Sequence, residues 1–239
     1  MLLAAVKMIF VCSFIIAYLI IVGIPALSYC RIRRNPALAL YLTRVLDRMM
    51  LFVAGIRLTV RGLEKLNPDR GYVFVGNHRS HVDPAVVFIT IPGEVRFLIK
   101  KEAFRIPLLS FALRTMGMIE VDRSNPEASA RSIDRAVSEI QAGRSIILFP
   151  EGTRSRKPAI LPFKKGAFVL AIKAQAPVAP FTLIGAGQAL PADTILLYGG
   201  KVELIFHEPV ETAGMTLEDR DQLLEKIRKT VESEFRAEV

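Results

Sequence analysis

Cysteine and histidine are scarce in this chain: among 239 residues there are two of the first and three of the second. Cys12 and Cys30 both fall within the first thirty positions, so a disulfide framework or a cysteine-based zinc site in the remainder is excluded. A reducing cytoplasm is the simpler setting for such a chain. Any histidine chemistry must come from His78, His81 or His207. Several chemical signatures are missing too. There is no G-x-S-x-G nucleophile turn, no H-E-x-x-H zinc motif and no Walker loop, and Gly185-Ala186-Gly187 lacks the later glycine of a dinucleotide fingerprint. Internal repeats and low-complexity tracts are absent, and past residue 30 so are long apolar runs.

What is present begins with that single apolar run. The chain is 51% hydrophobic, which rules out a disordered or collagen-like polymer. In residues 1–30 only Lys7, Ser13, Gly23, Pro25 and Ser28 fall outside the apolar set, and without this segment the rest drops to about 46%, ordinary for a water-soluble domain. Met8 to Cys30 carries no charge over 23 residues, enough as a helix to match a hydrocarbon core of roughly 30 Å. Pro25 with Gly23 predicts a kink. Leu27-Ser28-Tyr29-Cys30 is a poor processing site and Arg31, Arg33 and Arg34 follow at once, so the segment reads as a retained anchor rather than a leader. Lys7 precedes the run, whereas Arg31, Arg33, Arg34, Arg44 and Arg48 follow it. This asymmetry places the remainder on the cytoplasmic face of the inner membrane. From Pro36 to Val53, Leu38, Leu42, Val45, Leu46 and Met49 recur at helical spacing between arginines, the pattern of a helix in the membrane interface or packed on the domain.

Residues 1–54 thus form a membrane-anchoring helical segment and 55–239 a single α/β domain. Strand-like runs are Tyr72–Val75, Val95–Ile99, Met118–Val121, Ser145–Phe149, Val178–Leu183 and Val202–Phe206, and helical patterns separate most of them. One helix opens at Asp83-Pro84, with a cap residue followed by proline. Others cover Ala128–Ile140 and Phe163–Ala174. A last one starts at Thr216, with Asp219 as a weak capping box, and buries Leu223, Leu224, Ile227, Val231 and Phe235. The expected fold class is α/β, a layered domain with a mixed, partly parallel sheet flanked by helices.

Two uncharged strands run into polar turns. Val73-Phe74-Val75-Gly76 leads into Asn77-His78-Arg79-Ser80-His81-Val82-Asp83-Pro84, and Ile147-Leu148-Phe149 leads into Pro150-Glu151-Gly152-Thr153-Arg154-Ser155. Strand C-termini are where α/β sheets bind ligands. Histidine titrates near neutrality and can take a proton from an alcohol, and Asp83 could fold back to orient it. The same spacing also fits Asp83 as a simple helix cap. Arg154 and Arg123 are anion-binding candidates, because guanidinium pairs bidentately with phosphate, although a solvated basic loop would look alike.

Together these segments resemble the glycerolipid acyltransferase family, and within it the 1-acyl-sn-glycerol-3-phosphate acyltransferases. Its H-x-x-x-x-D signature, extended to N-H-x-S-x-x-D, reads Asn77 to Asp83. Its second block is similar to Gly117–Arg123, its F-P-E-G-T-R-S block is Phe149–Ser155, and its fourth is similar to Val178-Ala179-Pro180-Phe181, with Ala179 where isoleucine or valine is usual. The resemblance implies that His78 is the general base and Asp83 its partner. Lys100, Arg123, Glu151, Gly152, Thr153 and Arg154 would bind substrate, with Arg154 on a phosphate and Glu151 toward the glycerol. It also implies acyl transfer from acyl-CoA or acyl carrier protein to the 2-hydroxyl of lysophosphatidic acid, by direct attack and without cofactor or metal. His81 falls at a variable position of the motif. Relatives with the same motifs acylate glycerol-3-phosphate or lyso-ornithine lipid.

Readings from other classes explain less. For a metal hydrolase, His78, His81 and Asp83 are an incomplete ligand set. A non-catalytic binder of anionic lipid or nucleic acid would use the net charge of +9, but no nucleic-acid module is recognisable. That charge is also unevenly placed. Residues 1–50 hold +5, residues 144–173 hold +6, and the stretch from Glu211 onward is −3. The excess lies beside the anchor and around the expected phosphate pocket, as an enzyme working on an anionic membrane surface requires.

Overall fold

The computed structural model describes residues 2–122, 124–156 and 159–235. The chain opens with helix α1 (Leu2–Tyr18), a π turn (Leu19–Gly23) and α2 (Ile24–Arg33) in one continuous rod. Pro25 has no N–H to donate into the ladder. Just ahead of it the bonding widens, with Ile24 N–H reaching back five residues to Leu19 O, and this is the local answer to the expected kink. Ala5–Arg33 is long and apolar enough to cross a membrane, with little of its surface buried, and marks this end as membrane-associating. Helix α3 (Ala37–Val53) runs back against the rod, tied by Tyr18 Oη donating to Leu42 O at 3.0 Å.

The body is a seven-stranded sheet, with strands β1 (Ile56–Arg61), β2 (Val73–Gly76), β3 (Val95–Lys100), β4 (Ile119–Val121), β5 (Ser145–Leu148), β6 (Val178–Ile184) and β7 (Gly200–Phe206) in the order β1-β7-β6-β2-β5-β3-β4. All neighbours pair in parallel except β6 with β7. The remaining helices are α4 (Asp83–Thr90), α5 (Pro107–Thr115), α6 (Pro126–Gln141), α7 (Gly166–Ala174), the short α8 (Ala186–Ala189) and α9 (Arg220–Glu234). This is the expected mixed α/β layering. Alternate residues of each strand feed separate cores. Phe74, Ile147 and Phe181 join the helices nearest the N-terminal rod. Val73, Val75 and Ile146 join α6, α7 and α9, as the period-2 geometry of a strand dictates.

Local chemistry explains the element boundaries. Asn125 caps α6 by accepting from Ala128 N at 3.0 Å, with Pro126 at the first helical turn. Two expectations are corrected and two elements are added. The last helix begins at Arg220, because Asp219 Oδ2 accepts from Thr216 N (2.7 Å) and closes a turn ahead of the helix. Helix α7 begins at Gly166 rather than Phe163, since Lys164 N donates to Pro150 O and keeps that stretch as a loop. Strand β1 and helix α5 were not foreseen, although Ile56, Leu58 and Val60 alternate with polar residues. Helix α3 docks on the body. Arg44 donates to the carbonyls of Phe88, Ile91 and Gly93, and Arg48 to Ile89 O. Two of the arginines that entered the charge asymmetry therefore also cap the C-terminal end of α4.

Candidate active site

The turn after β2 is fixed almost entirely by its own polar groups. A Cβ at Gly76 would collide with the ring and carbonyl of Phe181, so only glycine lets β2 approach β6 here. Asn77, fully buried, continues the strand pairing with its side chain: Nδ2 donates to Leu183 O (2.8 Å) and Oδ1 accepts from Leu183 N (2.7 Å). Ser80 Oγ donates to Leu190 O at 2.7 Å. Inside this frame Asp83 Oδ2 gathers three donors, namely His78 Nδ1 at 2.8 Å and the amides of Arg79 and Ser80 at 2.7 Å each. Asp83 is fully buried, while the His78 side chain keeps 17% of its surface. The alternative in which Asp83 merely caps α4 is not what forms: its carboxylate turns back to the histidine, and the helix starts with no side-chain cap bond.

The second loop supplies the opposite wall. Phe149-Pro150-Glu151-Gly152 forms a tight turn, with Gly152 N donating to Phe149 O (3.0 Å) and Gly152 at φ +74°. Phe149 stacks on His78 with ring centroids 4.2 Å apart. Glu151 is buried and spans two segments, Oε1 accepting from His78 N (2.6 Å) and Oε2 from Leu161 N (2.8 Å). Burial pushes its carboxyl up to about 7, while those two amides pull the other way. Ser155 N donates to His78 O at 2.8 Å, completing the lacing of loop to turn.

Outside this core the cations are spread along the same C-terminal sheet edge. The Arg154 guanidinium lies against His81 Nε2. Burial, then the charge of Arg154, hold His81 below the ordinary histidine value. Lys100 stands at the end of β3, with 62% of its side chain exposed and Glu102 3.6 Å away. Thr153 is exposed and Gly152 half-buried. Arg123 lies outside the described residues. Two cavities flank the turn. One, of about 280 Å³, is mainly apolar, with Leu98, Val121, Ile133, Leu148, Phe149 and Ala167 in its wall beside Gly152 and Lys164. The other is an open recess of about 430 Å³ bordered by His81, Arg156 and the Ala192–Ile195 loop. Among the described residues no three His, Cys, Asp or Glu side chains converge as metal ligands.

Sequence reasoning brought His78, Asp83, Glu151 and Arg154 to one place, but it missed Phe149 as the stacking platform and His81 as the neighbour of Arg154. The H-x-x-H spacing was the available signal for His81. Nothing in the sequence marks the 4.2 Å stack, which joins strands that are neighbours in the sheet but far apart in the chain.

The Acyltransferase family matches residues 57–184. A chloroplastic 1-acyl-sn-glycerol-3-phosphate acyltransferase of Brassica napus is 35% identical over 153 residues, covering 63% of this chain and 44% of that protein. The match thus spans less than half of that relative's length. The alpha form of the human 1-acyl-sn-glycerol-3-phosphate acyltransferase is 27% identical over 231 residues, covering 96% of this chain and 82% of its own. In fold the chain is similar to the crystal structure of a 1-acyl-sn-glycerophosphate acyltransferase from Thermotoga maritima, with TM-score 0.81 and 24% identity, covering 97% of this chain and 93% of that one. The blocks read in the sequence, the family match over half the chain and the shared architecture agree: this chain belongs to the Acyltransferase family.

Proposed function

We propose that this protein transfers an acyl chain from a thioester, acyl-CoA or acyl carrier protein, to the 2-hydroxyl of lysophosphatidic acid, giving phosphatidic acid. The observation that carries the reading is the His78–Asp83 pair, a largely buried imidazole that keeps some exposed surface and is held at Nδ1 by a buried carboxylate. With Nδ1–H donated to Asp83, Nε2 keeps its lone pair for the acceptor hydroxyl. His78 takes that proton as the oxygen attacks the thioester carbonyl. Collapse of the tetrahedral adduct breaks the C–S bond, and the proton passes to the departing thiolate. The thioester is already activated, so positioning and proton transfer account for most of what the protein must add. Arg154, lying against His81, is the phosphate-binding group in this reading, with Thr153 and Lys100 around it. Arg123 joins them from sequence alone. Glu151 acts through position, tying the turn to the loop by two amides. The apolar cavity walled by Phe149 suits the acyl chain.

The acceptor's identity is supported by the names of the relatives and by the basic residues at this edge. Location at the inner membrane, with the body toward the cytoplasm, is supported by the exposed apolar rod and by Arg31, Arg33 and Arg34 after it. The test is an acceptor panel with both thioester donors. Free thiol and phosphatidic acid should appear together when lysophosphatidic acid is supplied. Thioester consumption without any acceptor, or preference for glycerol-3-phosphate, would overturn the assignment.

A further inference from the structure

The first turn of α5 is the least accounted-for surface of the α/β body. Ile106, Leu108 and Leu109 are 56%, 44% and 40% exposed, three aliphatic side chains in four positions. The rest of the helix is ordinary: Leu113 is buried, and Phe111 and Ala112 pack on the core. Single exposed apolar residues need no explanation, whereas a cluster on an otherwise polar surface marks a contact site.

Its neighbours indicate what covers it. Helix α5 packs directly against α2, and its end reaches α3, where Thr43 Oγ1 lies 3.3 Å from Met116 Sδ. The helix that carries the cluster therefore packs on α2, whose outward side chains include Tyr29 (54% exposed) and Ile32 (80% exposed). Three cations around it already face carboxylates, while Arg105, next to Ile106, is exposed. Lys101 meets Asp122 at 2.7 Å, Arg114 meets Glu120 at 2.9 Å and Lys100 meets Glu102 at 3.6 Å. An acidic protein partner would find most of that charge occupied, whereas a bilayer takes the aliphatic side chains into hydrocarbon and leaves Arg105 at its surface.

We propose that Ile106, Leu108 and Leu109 enter the same lipid surface as the N-terminal helices and form a second point of attachment for the body. This rests on the membrane-borne acceptor of the proposed function. One rod alone leaves the body free to rotate about it. A second contact, following directly on the β3 end and Lys100, fixes the sheet edge that carries His78 toward the bilayer from which a lysolipid is drawn. The contact is apolar burial, so it adds affinity in proportion to area and is insensitive to salt.

The test places an environment-sensitive fluorophore on the full-length protein in a Cys12→Ser background, Cys30 being buried. Labels go at Leu108→Cys, at Ile32→Cys, and at Ser233→Cys on α9, which packs on the other sheet face. With vesicles of mixed phosphatidylcholine and phosphatidylglycerol, labels at 108 and 32 should shift to the blue and be quenched by nitroxide lipids, and the label at 233 should not. A label at 108 that stays aqueous while the one at 32 is quenched overturns the second contact alone. If neither is quenched, membrane association falls and takes this proposal with it. A blue shift at 108 on adding acyl carrier protein without vesicles reassigns the surface to a protein partner and overturns the proposal. In parallel, the triple variant Ile106→Ser, Leu108→Ser, Leu109→Ser should lose about tenfold in turnover of vesicle-borne acceptor and keep its rate on a short-chain acceptor dissolved in water. Equal loss on both would make the residues structural and sink the idea.

Discussion

The turn from Gly76 to Asp83 and the cations that surround it follow opposite rules. In the turn the polar side chains that frame His78 are tied to main chain. Asn77 is held on Leu183, Ser80 on Leu190, and Asp83 on two amides and His78, and Asp83 is fully buried. Lys100, Thr153 and Arg156 are exposed, and the Arg154 guanidinium lies against an imidazole that could release it. Proton transfer depends on sub-ångström placement and rewards a rigid frame. Attraction between a cation and a phosphate falls off slowly with distance and tolerates looser geometry. In the proposed function the molecule therefore separates a rigid chemical centre from an adaptable recognition rim.

Substitutions can break or sharpen that contrast. The largest effect is expected for His78→Ala, which should cost at least about 10³-fold in kcat with an unchanged circular dichroism spectrum. Near-normal turnover would remove it as the base. Asp83→Asn keeps the volume but spoils the imidazole tautomer, and a loss of roughly 10²–10⁴ in kcat is expected, with acceptor KM little changed.

Glu151 tests the frame itself through pH. Its folded value of about 7 lies above the 4.5 of the free side chain, so the folded state holds an extra proton between these values. Stability is therefore full below about pH 4.5 and declines as pH rises to about 7, by on the order of 3 kcal/mol. Thermal unfolding in detergent should follow that slope, and Glu151→Gln should flatten it. A slope that persists in the variant would place the titration elsewhere.

At the rim, Arg154→Ala should raise acceptor KM roughly 10–100-fold while kcat stays within a few-fold. His81 gives the same site a pH signature. Its value is lowered by burial, Arg154 and His78 and raised by Asp83. Acidification below the ordinary histidine range charges it, which frees the Arg154 guanidinium and adds a second cation beside the phosphate, so acceptor KM should fall there. His81→Gln should blunt that fall. The smallest effect belongs to Lys100→Ala, under about threefold in KM, because that lysine is 62% exposed and screened by solvent.

The legible and illegible parts of this molecule divide along the same line. Strands β2, β5 and β6 announce themselves through uncharged runs, and α6 through the helical spacing of Ile133, Ala136, Val137 and Ile140, although its Asn125 cap and Pro126 start went unread. The His78–Asp83 pair was visible because its members lie five positions apart in one turn. Helix α5 went unread although Leu109, Ala112, Leu113 and Met116 recur at helical spacing: at nine residues the stripe is short, and the exposed Leu108 blurs it. Strand β1 alternates cleanly, yet Arg57, Thr59 and Arg61 break it into single apolar positions, unlike the uncharged runs of β2 and β5. Contacts between distant segments were beyond reach, among them the Phe149 stack, the two amides on Glu151 and the His81–Arg154 neighbours. They depend on the parallel pairing of β2 with β5, which places residues some seventy positions apart at one sheet edge.

The most direct test measures kcat and acceptor KM together for Asp83→Asn and Arg154→Ala, with lysophosphatidic acid and one thioester donor. A rigid centre with an adaptable rim predicts a crossed result, the first variant losing kcat at nearly constant KM and the second losing KM at nearly constant kcat. If both variants lose the same parameter in the same proportion, chemistry and recognition are not divided as described, and the account is wrong.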